Sequence, residues 1–401
     1  MKVLHVIPSI SERSGGPGQA ILPMCRALHD RGVEVVLAST DADSKGVSEF
    51  NYGRKKTDKG LPVILFPKQL GASFKYSRPF SIWLQANVSG FDLVHIHAVF
   101  NHSCVAAARA CRKQGLPYVV RPLGTLDPWS MKQKSFRKKV FWHAGIKMML
   151  RGAAAVHYTT QDEQHAVEES LRLSHGFVVP LGVEIKQLDK SLAVKDLAQH
   201  FPTLLEHPYV LVLSRLHPKK GLETLLHAFI SLTAREEFSE WRLVIAGDGD
   251  PAYVKSLKRI VAERHGEAFV HFTGWLENER KEAILRMTEL VALPSRQENF
   301  GLCIAEAMAC GVPVLVSPHV NLALEIEAAS AGWIAEVDET ALEQALATAL
   351  SSKEERLTRG RNGKQLALNY AWPNIANQLR LRYSEIIPNT VESMPAVVHH
   401  A

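Results

Sequence analysis

Short apolar segments alternate with helix-like segments along nearly all of this 401-residue chain. The apolar segments have the Val, Ile and Leu content of strands that are buried on both faces. Such alternation predicts doubly wound α/β domains with mainly parallel sheets. The predicted strands are Lys2–Ile7, Val33–Ser39, Pro62–Phe66, Asp92–Ile96, Pro117–Arg121, Ala154–Tyr158, Phe177–Pro180, Tyr209–Ser214, Arg242–Ala246, Ala268–Thr273, Glu289–Leu293, Val312–Ser317 and Gly332–Ala335.

The length of the chain predicts two domains, because one hydrophobic core seldom serves 401 residues. Residues 182–208 are polar and aperiodic, as a linker would be. We therefore predict a first Rossmann-like domain over residues 1–183, a linker over 184–208 and a second Rossmann-like domain over 209–372. A last helix is predicted over 373–388, followed by a loose tail over 389–401.

Composition narrows the class of protein. Hydrophobic residues make up 46% of the chain and charged residues 22%, as in ordinary soluble globular proteins. The apolar opening is cut short by Pro8 and lacks the features of a signal peptide. Five cysteines without CxxC spacing predict reduced thiols in a core, a cytoplasmic protein and no metal site. The net charge of +6 accompanies no nucleic-acid motif, so no nucleic acid is predicted as a partner.

The most informative segment follows the predicted strand Glu289–Leu293. Glu298 precedes a small turn, and an Ala-rich helix after the turn carries a second acid, Glu306. Free N–H groups at a helix N-terminus favour anions, and carboxylates can accept hydrogen bonds from hydroxyls. Glu306 lies in an almost wholly apolar helix, where an unpartnered buried carboxylate is strongly unfavourable. We therefore expect Glu306 to face a cleft or a ligand, although solvated acids at a capped helix are the simpler alternative.

A basic loop follows the predicted strand Tyr209–Ser214 and opens a helix at Leu222. It contains Arg215, Lys219, Lys220 and Gly221. Loops at the carboxyl ends of parallel strands are where α/β folds place anionic ligands. An Arg fork and a Lys point charge suit a diphosphate, whereas a solvated basic loop is the alternative.

These two segments resemble the donor-site motifs of retaining glycosyltransferases of family 4. That family has the GT-B fold, an α/β architecture of two Rossmann-like doubly wound domains that face each other across a cleft. The resemblance rests on Glu298-x7-Glu306 with Asn-Phe-Gly between, and on the spacing of Arg215 and Lys220-Gly221. The family's usual first turn residue is Gly. Here it is Asn299, which tolerates left-handed backbone angles, so we expect the turn to persist.

The resemblance implies a role for each donor-site residue. Glu298 would contact the hydroxyls of the transferred sugar, and Glu306 would contact the ribose. Arg215 and Lys220 would take up charge as the nucleoside diphosphate leaves. It also implies a closing helix that crosses back to the first domain. The turn backbone that would bind sugar and phosphates belongs to Asn299, Phe300, Gly301 and Leu302.

Candidate residues in the first domain also lie after predicted strands. Gly15 and Gly16 follow the first strand, where a backbone without side chains could approach a ligand closely. The resemblance implies that this loop touches donor phosphate and acceptor, and that His97 reaches the transferred sugar, so we include His97 among the catalytic candidates. Arg121 and Asp127 are candidates for the acceptor or its phosphate. The alternatives are a flexible turn for Gly15 and Gly16 and a purely structural role for His97.

Two further motifs in the second domain lead to different predictions, one structural and one functional. Asp248 and Asp250 form an Asp-x-Asp, yet Asp250 before Pro251 is a good helix cap, so we favour capping over metal binding. Trp275 and Leu276 follow a strand. The resemblance implies that the backbone of this turn meets the nucleobase.

Residues 131–151 combine basic and bulky apolar side chains without any acid. Such a segment is compatible with contact with an anionic membrane surface, but an amphipathic helix that covers the sheet with a solvated basic face is slightly favoured. Its basic residues are Lys132, Lys134, Arg137, Lys138, Lys139, Lys147 and Arg151.

These features predict a retaining, metal-independent glycosyltransferase. It would use a UDP- or GDP-linked sugar as co-substrate, with no other cofactor. Its acceptor would be a saccharide or lipid-linked saccharide in surface polysaccharide assembly, on the cytoplasmic side and peripherally on the membrane. The alternatives are a sugar-nucleotide epimerase or a phosphorylase of the same fold, and a non-catalytic membrane- or partner-binding module.

Overall fold

The computed structural model describes residues 1–11, 15–41, 55–58, 60–71, 74–126, 131, 141–185, 194–195, 198–276 and 278–387. The chain divides into two compact units. The first comprises Met1–Gly182 and the chain from Trp372 onward, and the second comprises Val183–Ala371. Each unit is a mainly parallel sheet with interleaved helices, so the predicted α/β class is confirmed.

The first unit contains an eight-stranded sheet in the order β3-β4-β2-β1-β5-β6-β7-β8. Only the edge pair β3 and β4 is antiparallel. One face of the sheet packs on α2 and α3 through apolar residues such as Leu4, Val94 and Val120. The elements are β1 (Lys2–Ile7), α1 (Gly16–His29), β2 (Glu34–Thr40), β3 (Lys55–Asp58), β4 (Leu61–Phe66), α2 (Arg78–Asn87), β5 (Leu93–His97), α3 (His102–Gln114), β6 (Tyr118–Arg121), α4 (Lys147–Arg151), β7 (Ala155–Tyr158), α5 (Gln161–Leu171) and β8 (Gly176–Val178).

The second unit contains a six-stranded parallel sheet in the order β11-β10-β9-β12-β13-β14. The central strands β9 and β12 are almost wholly buried, which explains their unbroken apolar sequences. The elements are β9 (Tyr209–Leu213), α6 (Leu222–Thr233), β10 (Arg242–Ala246), α7 (Pro251–Glu263), β11 (Val270–Gly274), α8 (Asn278–Met287), β12 (Leu290–Leu293), α9 (Leu302–Ala309), β13 (Val314–Val316), α10 (Ala323–Ala328), β14 (Gly332–Ile334), α11 (Glu339–Ser351) and α12 (Lys353–Ala367).

The last helix, α13 (Trp372–Ile386), follows the second unit in the chain but belongs to the first. It packs on α1, and its Tyr383 is fully buried there. At its start the indole of Trp372 lies against Gly182, where a Cβ atom would collide with the ring. This helix therefore completes the core of the first unit.

Each predicted strand overlaps an observed one, whereas the edge strand β3 and the helix α12 are among the elements that were not predicted. The edge strand β3 has the sequence KKTD, which is polar and short, as edge strands often are. Helix α12 is highly charged and contains two glycines, so its sequence has little helical pattern. Gly360 lies against the carbonyl of Gly311, which lets α12 pack closely on α9. None of the helices that the structure describes is long and apolar enough to cross a membrane.

Candidate functional site

Two loops at the carboxyl ends of β9 and β12 lie against each other in the second unit. The backbone N–H of Arg296 donates to the carbonyl of Lys219 at 2.7 Å. Gly221 has a φ of 67°, and a Cβ atom there would collide with the carbonyl of Pro294. Only glycine satisfies both the left-handed backbone and this close approach. The contact brings the basic loop beside the loop that carries Glu298.

Lys220 and Glu298 form an ion pair between these two loops. Only 10% of the lysine side chain and 15% of the glutamate side chain are exposed. Burial by itself raises the pKa of Glu298, but the charges of Lys220, Lys219 and Arg215 outweigh it and hold that pKa below its ordinary value. The carboxylate is therefore ionised at neutral pH and fixed in place.

The backbone around Glu298 is anchored as well. Its N–H donates to the carbonyl of His319 at 3.0 Å, and its carbonyl accepts from the N–H of Asn321 at 3.0 Å. The carbonyl of Ser295 accepts from the hydroxyl of Ser317. The loop after β12 is thus held to the loop after β13, and the acid has a defined position.

Arg215 is exposed, whereas Lys220 in the same loop is buried and Lys219 is partly buried. Among the residues that the structure describes, no carboxylate pairs with its guanidinium. It shares a loop with Lys220 and contributes to the positive potential at Glu298. An exposed guanidinium of this kind can bind an incoming anion in a bidentate manner.

The turn before α9 has its left-handed residue at Gly301, not at Asn299. Gly301 has φ 73° and ψ 63°, whereas Asn299 does not have a positive φ. The turn is present, as expected, but it does not need the tolerance of Asn299 for left-handed angles, because Gly301 turns the chain into the helix. The Asn299 side chain accepts instead from the amide of Asn321 at 3.5 Å.

The N-terminus of α9 points out of this turn. Ile304 and Ala305 donate to the carbonyl of Gly301, whereas the N–H groups of the first helical residues, Leu302 and Cys303, have no preceding helical turn to bond. Phe300 is buried and packs edge-on against Tyr370 at 5.5 Å between ring centroids. The site therefore combines helix N–H groups, a fixed carboxylate and two cations within one unit.

Glu306 has a partner that the sequence did not predict. Lys281 of α8 donates from Nζ to Oε1 of Glu306 at 2.7 Å, and the side chains are 21% and 24% exposed. The expectation that Glu306 faces a cleft or a ligand assumed a carboxylate without a protein partner, and that assumption is wrong. The carboxylate is paired on one side and partly exposed on the other.

The turn after β11 lies beside the loop after β10. The carbonyl of Gly274 accepts from the N–H of Gly247 at 2.8 Å. The indole N–H of Trp275 is buried without a hydrogen-bond partner in the described part of the chain, and Leu276 is 8% exposed. Asp250 caps α7 by accepting from the N–H of Ala252 at 2.9 Å, so the capping prediction is confirmed.

Gly15 and Gly16 stand at the start of α1 in the first unit. Gly15 is the N-cap residue, with a φ of 90° and no side chain to cap the helix. Ser14, which precedes them, lies outside the described residues. The first N–H groups of α1 therefore have no capping side chain among the residues described.

His97 belongs to a cluster of buried histidines on one sheet face in the first unit. His5 Nδ1 lies 3.1 Å from His97 Nε2, and His157 Nδ1 lies 3.2 Å from His95 Nε2. His95 Nδ1 lies 2.7 Å from the hydroxyl of Tyr383. His5 and His157 were not predicted to belong to a site. Alternate strand residues share a face, so the sequence could have indicated only that His95 and His97 lie close together.

The histidine cluster is neutral at neutral pH. Burial, and then the charge of Arg121, lower the pKa of His5 to about 3. Burial also holds the pKa values of His95, His97 and His157 well below their ordinary range. One ring nitrogen each of His5, His95 and His97 lies within 4.8 Å of the others, a spacing compatible with a metal ion. The adjacent guanidinium and the hydrogen bonds between the rings oppose a cation there.

Arg121 is buried, with 1% of its surface exposed. Its guanidinium donates to the carbonyl of Val179 at 3.2 Å and to the hydroxyl of Thr159 at 3.4 Å. Burial lowers its pKa to about 10, although Glu163 and Tyr383 act in the opposite direction. This burial contradicts the predicted contact with an acceptor, because an anion could not reach the guanidinium from the surface. Asp127 lies outside the described residues.

The remaining predictions concern cysteines and the basic segment. Cys25, Cys104 and Cys111 are buried core residues, as predicted, whereas Cys303 and Cys310 are partly exposed. Lys147 and Arg151 are exposed, and Met149 and Leu150 are buried. The other basic residues of the 131–151 segment lie outside the described residues, so its membrane contact stays a prediction. They are Lys132, Lys134, Arg137, Lys138 and Lys139.

The chain matches two family models. Residues 15–182 match the glycosyl transferase 4-like domain, and residues 196–366 match glycosyl transferases group 1. The two matches fall almost wholly in the first and second units respectively. Together they cover most of the chain.

Similar proteins agree with this assignment. D-inositol 3-phosphate glycosyltransferase of Corynebacterium efficiens is 30% identical over 179 residues, which are 44% of this chain and only 42% of that relative. GDP-mannose:cellobiosyl-diphosphopolyprenol alpha-mannosyltransferase of Xanthomonas oryzae is 24% identical over 406 residues, which cover 98% of this chain and 100% of that protein.

A solved structure supports the fold. The Anabaena protein HepE in complex with UDP and glucose superimposes with a TM-score of 0.76 at 21% identity, covering 96% of this chain and 100% of that one. The family matches and this likeness confirm the GT-B fold and the resemblance that the two donor-site motifs carry. This chain therefore belongs to the family-4 glycosyltransferases of the GT-B fold.

Proposed function

We propose that the chain is a retaining glycosyltransferase that moves a sugar from a nucleotide donor to a hydroxyl of a saccharide or lipid-linked saccharide. The observation that carries this proposal is the buried Lys220–Glu298 pair beside the exposed Arg215 and the N-terminus of α9. A fixed carboxylate can accept hydrogen bonds from sugar hydroxyls. The adjacent cations and N–H groups can bind a diphosphate.

The charge balance of this site favours an anionic ligand. Glu298 is paired with Lys220 and Glu306 with Lys281, while Arg215 adds an exposed positive charge. Because both acids are paired, they do not repel a diphosphate as isolated carboxylates would. The site can therefore hold hydroxyl acceptors and a diphosphate together.

In the proposed reaction the bond between the anomeric carbon and the diphosphate oxygen breaks. A bond from the acceptor oxygen forms on the same face of the sugar. The acceptor proton passes to the leaving phosphate oxygen. Arg215 and Lys220 stabilise the charge that develops on this diphosphate, which is the main catalytic contribution of the protein. No metal ion is required in this scheme.

The remaining contacts follow the family resemblance. Glu306 would bind the ribose and the backbone at Trp275 and Leu276 the base. In the first unit Gly15, Gly16 and His97 stay predicted contacts. The names of similar proteins favour UDP or GDP, because HepE was solved with UDP and the Xanthomonas relative is named for GDP-mannose. That relative's name includes a diphosphopolyprenol acceptor, which supports a lipid-linked saccharide in surface polysaccharide assembly.

Thermal-shift measurements with UDP, GDP, ADP and their sugars test the proposal. We expect one nucleotide family to raise the melting temperature, because a ligand that binds only the folded state stabilises it. The stabilising donor is then incubated with saccharide and lipid-linked acceptors in EDTA, and NMR determines the configuration of the product. Inverted configuration would contradict the retaining mechanism, and loss of product in EDTA would contradict metal independence.

The same assay separates the alternatives. An epimerase would alter the sugar when incubated with the donor alone, whereas a transferase would leave it unchanged. A non-catalytic module would show no product with any donor or acceptor. The membrane prediction is tested separately with anionic phosphatidylserine vesicles, to which binding should weaken as salt rises.

A further inference from the structure

Lys281 lies outside the family motif and contacts one of its two acids, Glu306, directly. It lies in the first turn of α8, and its Nζ donates to Oε1 of Glu306 at 2.7 Å. The motif residue is 25 positions further along the chain and on another helix. The ion pair is therefore a tertiary contact that fixes one motif side chain from a neighbouring element.

This pair joins α8 to the side of α9 that carries Glu306. Residues 303, 306 and 310 share one side of a helix because they are three and four positions apart. Burial raises the pKa of Cys303 to about 12, and charges of both the Lys220–Glu298 and Lys281–Glu306 pairs act on it. Cys303 therefore lies near both the Lys220–Glu298 and the Lys281–Glu306 ion pairs.

The pair leaves half of the carboxylate available. Lys281 binds Oε1, and within the part of the chain that the structure describes no donor bonds to Oε2. At 24% exposure the Glu306 side chain is accessible to a ligand yet is held in one orientation. Immobilising a flexible side chain on binding is unfavourable, so a carboxylate oriented in advance binds a hydroxyl more tightly.

We propose that Lys281 is a positioning residue that orients Glu306 for the ribose hydroxyls of the donor nucleotide. The proposal rests on the proposed function, in which Glu306 contacts the ribose. Lys281 itself need not touch the nucleotide. Its effect is to keep Glu306 directed at the hydroxyls, so it should govern the preference for a ribonucleotide over a deoxyribonucleotide.

Calorimetric titration of Lys281→Met tests this role with UDP or GDP, whichever binds the wild type more tightly, and with its 2′-deoxy counterpart. The wild type should prefer the ribonucleotide by about tenfold or more, because hydrogen bonds to charged groups are strong. Lys281→Met should weaken ribonucleotide binding by about fivefold and deoxyribonucleotide binding by less than twofold. Titrations at several salt concentrations separate this effect from long-range charge.

Three further variants complete the experiment. Lys281→Arg retains a cation and should restore most of the preference, and Glu306→Gln should lose it. Lys281→Met combined with Glu306→Gln should lose little more than Glu306→Gln alone, because the lysine acts through the acid. Arg286→Met is the matched control, since it removes the Glu282–Arg286 pair on the same helix and should bind both nucleotides as the wild type does.

The outcomes are distinguishable. Equal weakening of both nucleotides by Lys281→Met would show a general charge effect and overturn the positioning role. An unchanged preference would show that Glu306 is oriented without Lys281, and would also overturn it. If the wild type bound none of UDP, GDP and ADP, the proposed function itself would fail and the inference with it.

Discussion

Beside β1, β5, β6 and β7 the first unit buries four neutral imidazoles and one guanidinium, whereas after β9 and β12 the second unit holds ion pairs and an exposed arginine. Both units are built on mainly parallel sheets. In the first unit burial removes the charge of the histidines, since their pKa values fall well below neutral. In the second unit nearby cations keep Glu298 ionised despite burial.

This difference distinguishes polar side chains that stabilise the fold from polar side chains that are available to a ligand. The imidazoles hydrogen-bond to one another, to Tyr383 and to the carbonyl of Val179, although Nε2 of His5 has no partner among the described residues. Contacts within the unit therefore account for most of their buried polar atoms. The second unit retains an exposed cation and a helix N-terminus next to fixed acids. Polar residues after parallel strands are thus not equivalent, and their charge state indicates which of them face a ligand.

The largest expected effect is on turnover in the second unit. Lys220→Ala and Arg215→Ala should each reduce turnover with the cognate donor by roughly 10²–10³-fold, or about 3–4 kcal/mol, because each removes a preorganised charge. Steady-state kinetics on folded protein measure this. Lys255→Ala, an exposed lysine on α7, is the charge-matched control and should leave turnover unchanged. Wild-type turnover in both site variants would remove the functional distinction between the units.

Acid should destabilise the histidine cluster at a pH where Glu298 is still unaffected. A folded-state pKa below the ordinary value of 6.5 means that the unfolded chain binds more protons, so stability falls as pH drops below about 6.5. The loss should be about 1.4 kcal/mol per pH unit for each histidine. Glu298 also loses stabilisation on acidification, but only below about 4.5, because its folded pKa is depressed from that value.

Urea unfolding between pH 7 and pH 5 measures the first effect, with fluorescence and circular dichroism as separate probes. His157→Gln should reduce the slope of stability against pH by about one proton. A slope that stays the same in His157→Gln would show that this histidine is not held neutral.

Gly301→Ala should destabilise the second unit by about 1–2 kcal/mol, because a left-handed conformation is unfavourable for alanine. The new Cβ would also lie 3.3 Å from Ile304 Cγ1, tighter than an ordinary contact. Thermal and urea unfolding measure the loss, and nucleotide affinity should fall with it. An unaffected affinity would show that the turn does not position the phosphate-binding N–H groups.

Replacing alanine by glycine at a left-handed position in the first unit, the reverse of Gly301→Ala, should have the smallest effect on stability. Ala98, directly after His97, has a φ of 81° although it carries a side chain. Ala98→Gly should relieve strain but increase the entropy of the unfolded chain, so we expect a net stabilisation of about 0.5 kcal/mol. Destabilisation measured by urea unfolding would show that the Cβ atom contributes more by packing than it loses by strain.

The sequence predicted most strands because those of a parallel sheet are buried on both faces and read as apolar runs. Tyr209–Leu213 and Leu290–Leu293 are of this kind. The edge strand Lys55–Asp58 is polar, and the charged helix Lys353–Ala367 is stabilised by packing that leaves no periodic pattern. Such elements depend on neighbours far along the chain.

The part of the site that depends on strand ends was predicted, whereas the part that depends on contacts with distant elements was not. The proximity of Lys220 to Glu298 follows from two adjacent strand ends together with the family resemblance. The partner of Glu306, by contrast, comes from a side chain on another helix, which no spacing rule identifies. The burial of Arg121 was missed because a strand-end arginine looks the same in sequence whether it faces solvent or a core.

Because α13 completes the first unit after the second unit has been synthesised, the first unit is discontinuous in the chain. Residues 183–371 are synthesised before Tyr383, the tyrosine that bonds to His95, so the histidine cluster cannot close until the second unit has been translated. Truncation before Trp372 should therefore destabilise the first unit while leaving the second unit able to fold.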